Sequence, residues 1–75
     1  MAQGHKPVQK GQTRSGQLKR RENRWVASFQ GETSEATIIN PSAIPSDATE
    51  GSVAEFFITE QSKKAGIKAR FEKVL

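Results

Sequence analysis

Polar and apolar residues alternate along short segments of this chain, and the alternation is clearest near its carboxyl end. From Ile67 to Glu72, each apolar residue is followed by a charged one. This two-residue period is typical of a β-strand with one buried face. The pattern predicts a strand over residues 67–74, with Ile67, Ala69 and Phe71 turned inward.

A C-terminal helix over residues 60–75 is the main alternative for the same segment. In a helix, the apolar residues between Ile67 and Leu75 would form one stripe. However, Gly66 would lie inside that helix, where glycine is unfavourable. The remaining strands would also lack a partner to close the sheet. We therefore favour the strand.

Four earlier segments have the composition of short strands, bounded by Gly, Asn or Pro. The connection between the third and fourth has room for one short helical turn, capped by Ser46 or Asp47. Five strands without α/β alternation predict an all-β fold, a small five-stranded OB-type barrel, because closure removes exposed sheet edges. The four expected strands cover residues 14–21, 24–30, 35–40 and 52–60.

The first 13 residues are polar, with two glycines and one proline. Such a composition buries too little apolar surface to offset the entropy of ordering the chain. We expect residues 1–13 to form a flexible basic tail and residues 14–75 to form the barrel.

Charge is sorted into three blocks along the chain. Residues 1–24 have a net charge of +6, residues 25–60 have −6, and residues 61–75 have +4. If the two basic ends fold together, they form one surface that attracts polyanions, with the acidic block elsewhere.

The order of elements resembles the OB-fold nucleic-acid-binding modules of S1 domains, bacterial initiation factor one and eukaryotic initiation factor 1A. The likeness covers residues 14–75, and it implies a barrel with a nucleic-acid-binding face. The aromatic motifs of cold-shock domains are absent, so their stacking surface is not implied. The resemblance rests on RSGQLKRRENRWVASFQG as a basic hairpin, SEATIINPSAIP as the third strand and its exit, EGSVAEFFIT as the fourth strand, and KKAGIKARFEKVL as the last hairpin.

The loops between strands 1 and 2 and between strands 4 and 5, which OB folds use for nucleic acid, are the two most basic turns of this chain. Lys and Arg neutralise phosphates and release counterions, so we expect single-stranded nucleic acid to bind there, RNA in preference to DNA. Loop charges that only keep the protein soluble are the alternative.

Two cations of strand 5 would extend this patch, and two aromatic residues are candidates for stacking on bases. Trp25, however, has the phase of the core residues Ala27 and Phe29, which favours a place in the core. The candidate nucleic-acid-binding residues are Lys19, Arg20, Arg21, Arg24, Lys63, Lys64, Lys68, Arg70, Phe57 and Trp25.

Catalysis and metal binding have little support, because His5 is the only histidine and the chain has no cysteine. No apolar run approaches the roughly 20 residues of a membrane helix. We expect a cytoplasmic, monomeric protein that is not an enzyme and uses no cofactor, metal or membrane. The alternative function is a protein-interaction adaptor with an SH3-like or OB-like barrel, which predicts that Phe57, Val53 and Ile39 form one exposed apolar patch.

Overall fold

The barrel is built from five strands joined by short turns. The computed structural model describes residues 8–75. The first hairpin turns at Glu22 and Asn23, which both have positive φ angles, 51° and 70°, as a two-residue type I′ turn requires. The strands are β1 (Thr13–Arg21), β2 (Arg24–Ser28), β3 (Ala36–Ile38), β4 (Val53–Ser62) and β5 (Gly66–Val74).

The strands close into a barrel in the order β1-β2-β3-β5-β4. β3 and β5 are parallel, and every other neighbouring pair is antiparallel. The prediction of a closed five-stranded barrel is confirmed, and the architecture is consistent with an OB-like fold. The C-terminal segment is a strand, as expected, and the helical alternative is wrong.

The inward side chains of all five strands form one core. Phe56 lies at its centre, with edge-to-face contacts to Phe29 at 5.6 Å and to Phe71 at 5.9 Å between ring centroids. β1 approaches this core closely at Gly16, where a Cβ atom would lie 2.8 Å from a ring carbon of Phe29. The buried cluster consists of Val8, Leu18, Ala27, Phe29, Ala36, Ile38, Ile44, Ala54, Phe56, Ile58, Ile67, Ala69 and Phe71.

Residues 8–12 differ from the expected flexible tail, because they pack on the barrel. Val8 is fully buried, and its N–H donates to the Glu32 carboxylate at 2.8 Å. The Gly11 N–H donates to the Ile58 carbonyl, also at 2.8 Å. The remainder of the expected tail, residues 1–7, lies outside the described residues.

The connection between β3 and β4 contains a short 3-10 turn at Pro41–Ala43. The turn lies upstream of Ser46 and Asp47, so the expectation that one of them caps it is wrong. Proline at the first position has the backbone angle that a helical turn needs and lacks the N–H that would otherwise be unpaired. Ile44 follows the turn and is buried in the core.

Candidate nucleic-acid interface

One row of side chains crosses the outer surface of four strands. Val26 of β2 is paired with Lys19 of β1 and with Thr37 of β3, and Thr37 is paired with Lys68 of β5. Residues directly opposite each other in a sheet project from the same face. We call these four residues the outer row; the two lysines lie at its ends, about 14 Å apart across three strand spacings.

The hairpin between β1 and β2 concentrates positive charge at one end of this face. We call Lys19, Arg20, Arg21, Arg24 and Trp25 the β1–β2 cluster. Arg20 is paired with Trp25, and its guanidinium carbon lies 4.8 Å from the centroid of the indole ring. Trp25 is half-buried and packs against the core. The indole ring therefore contacts both Arg20 and the core. The alternation of β2, in which Trp25 falls on the same side as Ala27 and Phe29, indicated this position.

Arg21 is held by an ion pair that crosses the outer face. Its Nη2 lies 2.6 Å from Glu35 Oε2, and its Nε donates to Glu35 Oε1 at 3.1 Å. Arg21 is two residues beyond Lys19, and Glu35 is two residues before Thr37, so the pair spans Val26. Val26 is only 4% exposed although its neighbours Trp25 and Ala27 point inward.

The turn between β4 and β5 carries the second group of cations. Lys63 and Lys64 are both exposed in it. The Ala65 N–H donates to Ser62 Oγ at 2.9 Å, and Gly66 closes the turn with φ of 80°. The turn thus holds both lysines at the surface, next to the start of β5.

The two basic groups lie near opposite ends of the same outer face. Glu35 directly precedes β3, and the Lys63–Lys64 turn precedes β5, which runs parallel to β3. The β1–β2 hairpin lies at the other end of these strands, and the Arg21 side chain reaches back toward Glu35. The charge blocks suggested that the two basic ends of the chain lie side by side, and this is not what the structure shows. The two basic groups instead flank one face, and β2 and β3 lie between β1 and β5.

Most of the cations on this face have no acidic partner in the structure. Within residues 8–75, Lys19, Arg24, Lys63, Lys64 and Lys68 make no ion pair. Arg20 makes no ion pair in that range either but lies over the Trp25 ring, whereas Arg21 and Arg70 are paired with acidic residues. Phosphates could therefore bind these five side chains without breaking an internal ion pair.

Phe57 of β4 is paired with Arg70 of β5, which follows Lys68 by two residues on the same outer surface. The Arg70 guanidinium carbon lies 5.0 Å from the Phe57 ring centroid, and Arg70 Nη2 lies 2.7 Å from Glu72 Oε2. They line a shallow depression of about 380 Å³ together with Thr13, Glu55 and Lys73. Arg70 therefore lies next to the outer row, but its guanidinium is engaged by the Phe57 ring and by Glu72.

The apolar patch that the adaptor hypothesis predicts is not contiguous. Ile39 and Val53 are exposed, but Phe57 is half-buried beneath Arg70. Val53 lies four residues from Phe57 along β4, about 13 Å away. Val53 instead lines a depression together with residues of β1 and β2, among them Gln17 and Ser28.

Two features of this surface were not identified from sequence. Glu35 was expected only as the first residue of the third strand and a member of the acidic block, because its pairing with Arg21 depends on strand register. A second depression, of about 430 Å³, lies between the diverging β1 and β2 and is lined only by uncharged residues, among them Gln17, Ser28 and Gln30. Within residues 8–75, no cation lines it, in contrast to the outer face.

Comparison with known proteins finds no family model that matches this chain, and no curated protein or solved structure that is significantly similar to it. Within the described part of the chain, no group of three or more His, Cys, Asp or Glu residues is arranged to hold a metal ion. No helix in residues 8–75 is long and apolar enough to span a bilayer.

Proposed function

We propose that this chain binds single-stranded nucleic acid on the outer face of β1, β2, β3 and β5. The outer row is the observation that carries this proposal: Lys19 and Lys68 border a neutral strip formed by Val26 and Thr37. Further cations stand at both ends of the strip. This arrangement suits an extended polyanion that lies across the strands.

The unpaired state of the cations favours phosphate binding. Five side chains on this face have no internal ion pair among the described residues, so contact with phosphate adds interactions without removing any. Each neutralised phosphate also releases counterions. Five contacts predict a slope of about −3.5 for log affinity against log salt, or about a 100-fold loss between 50 and 200 mM.

Base readout is a minor part of this function. The strip between the lysines presents Thr37 and, two residues further along the chain, Ile39, whereas Val26 is almost fully buried; none of the three is aromatic. Of the two aromatic candidates, Trp25 lies at the margin and Phe57 lies beneath Arg70. Affinity therefore comes mainly from the backbone, with weak preference among bases.

We also propose that the barrel is of the type found in S1 domains and in the two initiation factors. The strand order and the position of the two basic turns support it. The expected preference for RNA rests on that resemblance.

A titration of backbone amide resonances with single-stranded RNA, single-stranded DNA and a duplex at low salt tests the proposal. We expect the largest shifts in residues 19–26, 36–39 and 62–68 with single strands. If single strands leave these segments unshifted, or if shifts concentrate around Phe57, the proposed face is wrong.

A further inference from the structure

The Arg21 guanidinium is engaged on all its edges. Nη2 and Nε contact the two carboxylate oxygens of Glu35 at 2.6 and 3.1 Å. Nη1 donates to the Arg20 carbonyl at 3.0 Å and lies 3.9 Å from Glu50 Oε2. The Arg21 side chain is nevertheless half exposed, and that of Glu35 is 32% exposed. The pair is therefore ordered and still accessible to solvent.

The edge that Glu35 occupies is the one a phosphate would take. A guanidinium binds carboxylates and phosphates in the same way, through two parallel N–H donors. Glu35 makes this two-pronged contact with Arg21, so a phosphate at that edge would have to replace the carboxylate. Among the cations at the two ends of the face, Arg21 alone is blocked in this way within residues 8–75.

The position of the ion pair makes the competition direct. The pair spans Val26, the β2 member of the outer row, so it crosses the strip between Lys19 and Lys68. A nucleic-acid backbone on this strip would meet the Glu35 carboxylate. Repulsion between phosphate and carboxylate would raise the free energy of the complex as long as the pair stays closed.

We propose that Glu35 is an intramolecular counterion of Arg21, which a phosphodiester backbone must displace in order to bind. This inference rests on the proposed function. Exposed ion pairs are weak, so a chain of phosphates held by the other cations can open this one. A single phosphate lacks those other contacts and cannot. Glu35 therefore selects for oligonucleotides over isolated phosphates and mononucleotides.

The test compares Glu35→Gln with Asp47→Asn. Both remove one negative charge, but Asp47 is exposed in the β3–β4 connection and makes no ion pair among residues 8–75. The probe is a labelled uridine homopolymer of about 12 nucleotides, within the range of site sizes of one such barrel. We expect Glu35→Gln to tighten binding about two- to five-fold at about 0.1 M salt, the range that opening an exposed ion pair allows. Asp47→Asn should leave the dissociation constant nearly unchanged.

A second background separates competition at Arg21 from a general charge effect. In the Arg21→Gln protein, the Glu35→Gln change should tighten binding clearly less than in the wild type, since it relieves the repulsion by the carboxylate but frees no guanidinium. Inorganic phosphate should bind the wild type far more weakly than the oligonucleotide does, and it should gain from Glu35→Gln mainly when Arg21 is present. Thermal unfolding of each variant verifies that it is folded.

The outcomes distinguish the two proposals. If the wild type binds the oligonucleotide and Glu35→Gln matches Asp47→Asn, the counterion role is wrong while the proposed function stands. The same holds if Glu35→Gln tightens binding equally with and without Arg21. If no variant binds the oligonucleotide, both the proposed function and the counterion role are wrong.

Discussion

The Asn40 side chain pairs with the backbone of Phe71 on β5. Its Nδ2 donates to the Phe71 carbonyl at 3.0 Å, and its Oδ1 accepts the Phe71 N–H at 2.7 Å. β3 ends at Ile38, so no β3 backbone reaches these two groups. The amide thus extends the parallel β3–β5 ladder by one residue and closes the barrel where the backbone leaves it.

Asn40→Ala should lower the free energy of unfolding by about 1–3 kcal/mol, because it leaves two half-buried backbone groups without partners. Urea denaturation measures this change. Ser42→Ala, at an exposed site in the following turn, is the control and should stay within about 0.5 kcal/mol of the wild type. Equal stability of Asn40→Ala and Ser42→Ala would show that water replaces the amide at no cost.

Val8 is part of the barrel core, although the composition of its segment predicted a flexible tail. It is fully buried, and its N–H is bound by Glu32. Val8→Ala should lower the free energy of unfolding by about 2 kcal/mol through lost burial and a small cavity. The midpoint of urea unfolding should fall at an unchanged slope. Gln9→Ala, one residue further and exposed, should have almost no effect; a similar loss in both variants would contradict the role of Val8.

The strands follow from local pattern, whereas the contacts that complete the barrel do not. The alternation from Ile67 to Phe71 is a local property, and it correctly predicted β5. The Val8 N–H is bound by Glu32, 24 residues away, and its side chain belongs to a core drawn from the whole barrel, so one valine in a polar segment gives no signal of its burial. The role of Asn40 likewise depends on where β3 ends relative to β5.

The candidate interface was predicted in part for the same reason. The basic turns could be located from composition and from strand order. The Arg21–Glu35 ion pair could not, because it joins residues 14 apart whose proximity is set by the register of three strands. Phe57 and Arg70 also looked equivalent to the other candidates, since the sequence does not show that Arg70 covers the Phe57 ring and pairs with Glu72.

Gly16 marks the closest approach of β1 to the core. A Cβ atom there would lie 2.8 Å from Phe29 Cδ1 and 2.8 Å from the Ser28 carbonyl oxygen. Gly16→Ala should therefore lower the free energy of unfolding by about 1–3 kcal/mol, as overpacked cores do. Ser15→Ala, at the exposed neighbouring position, is the control in a thermal unfolding measurement. If Gly16→Ala melts at the control temperature, the ring of Phe29 moves aside without strain.

Lys68 and Lys73 provide a matched pair for the proposed nucleic-acid face, because both lie on β5 and carry the same charge. Lys68 belongs to the outer row, whereas Lys73 lies 3.7 Å from the Glu55 carboxylate on the surface shared with β4. Lys68→Gln should weaken oligonucleotide binding about five-fold at about 0.1 M salt and make the salt slope less steep by about 0.7, the contribution of one phosphate contact. Lys73→Gln should change neither quantity beyond a small general charge effect. Fluorescence anisotropy across a salt series measures both. Equal losses from the two variants would mean that net charge, and not the outer row, determines binding.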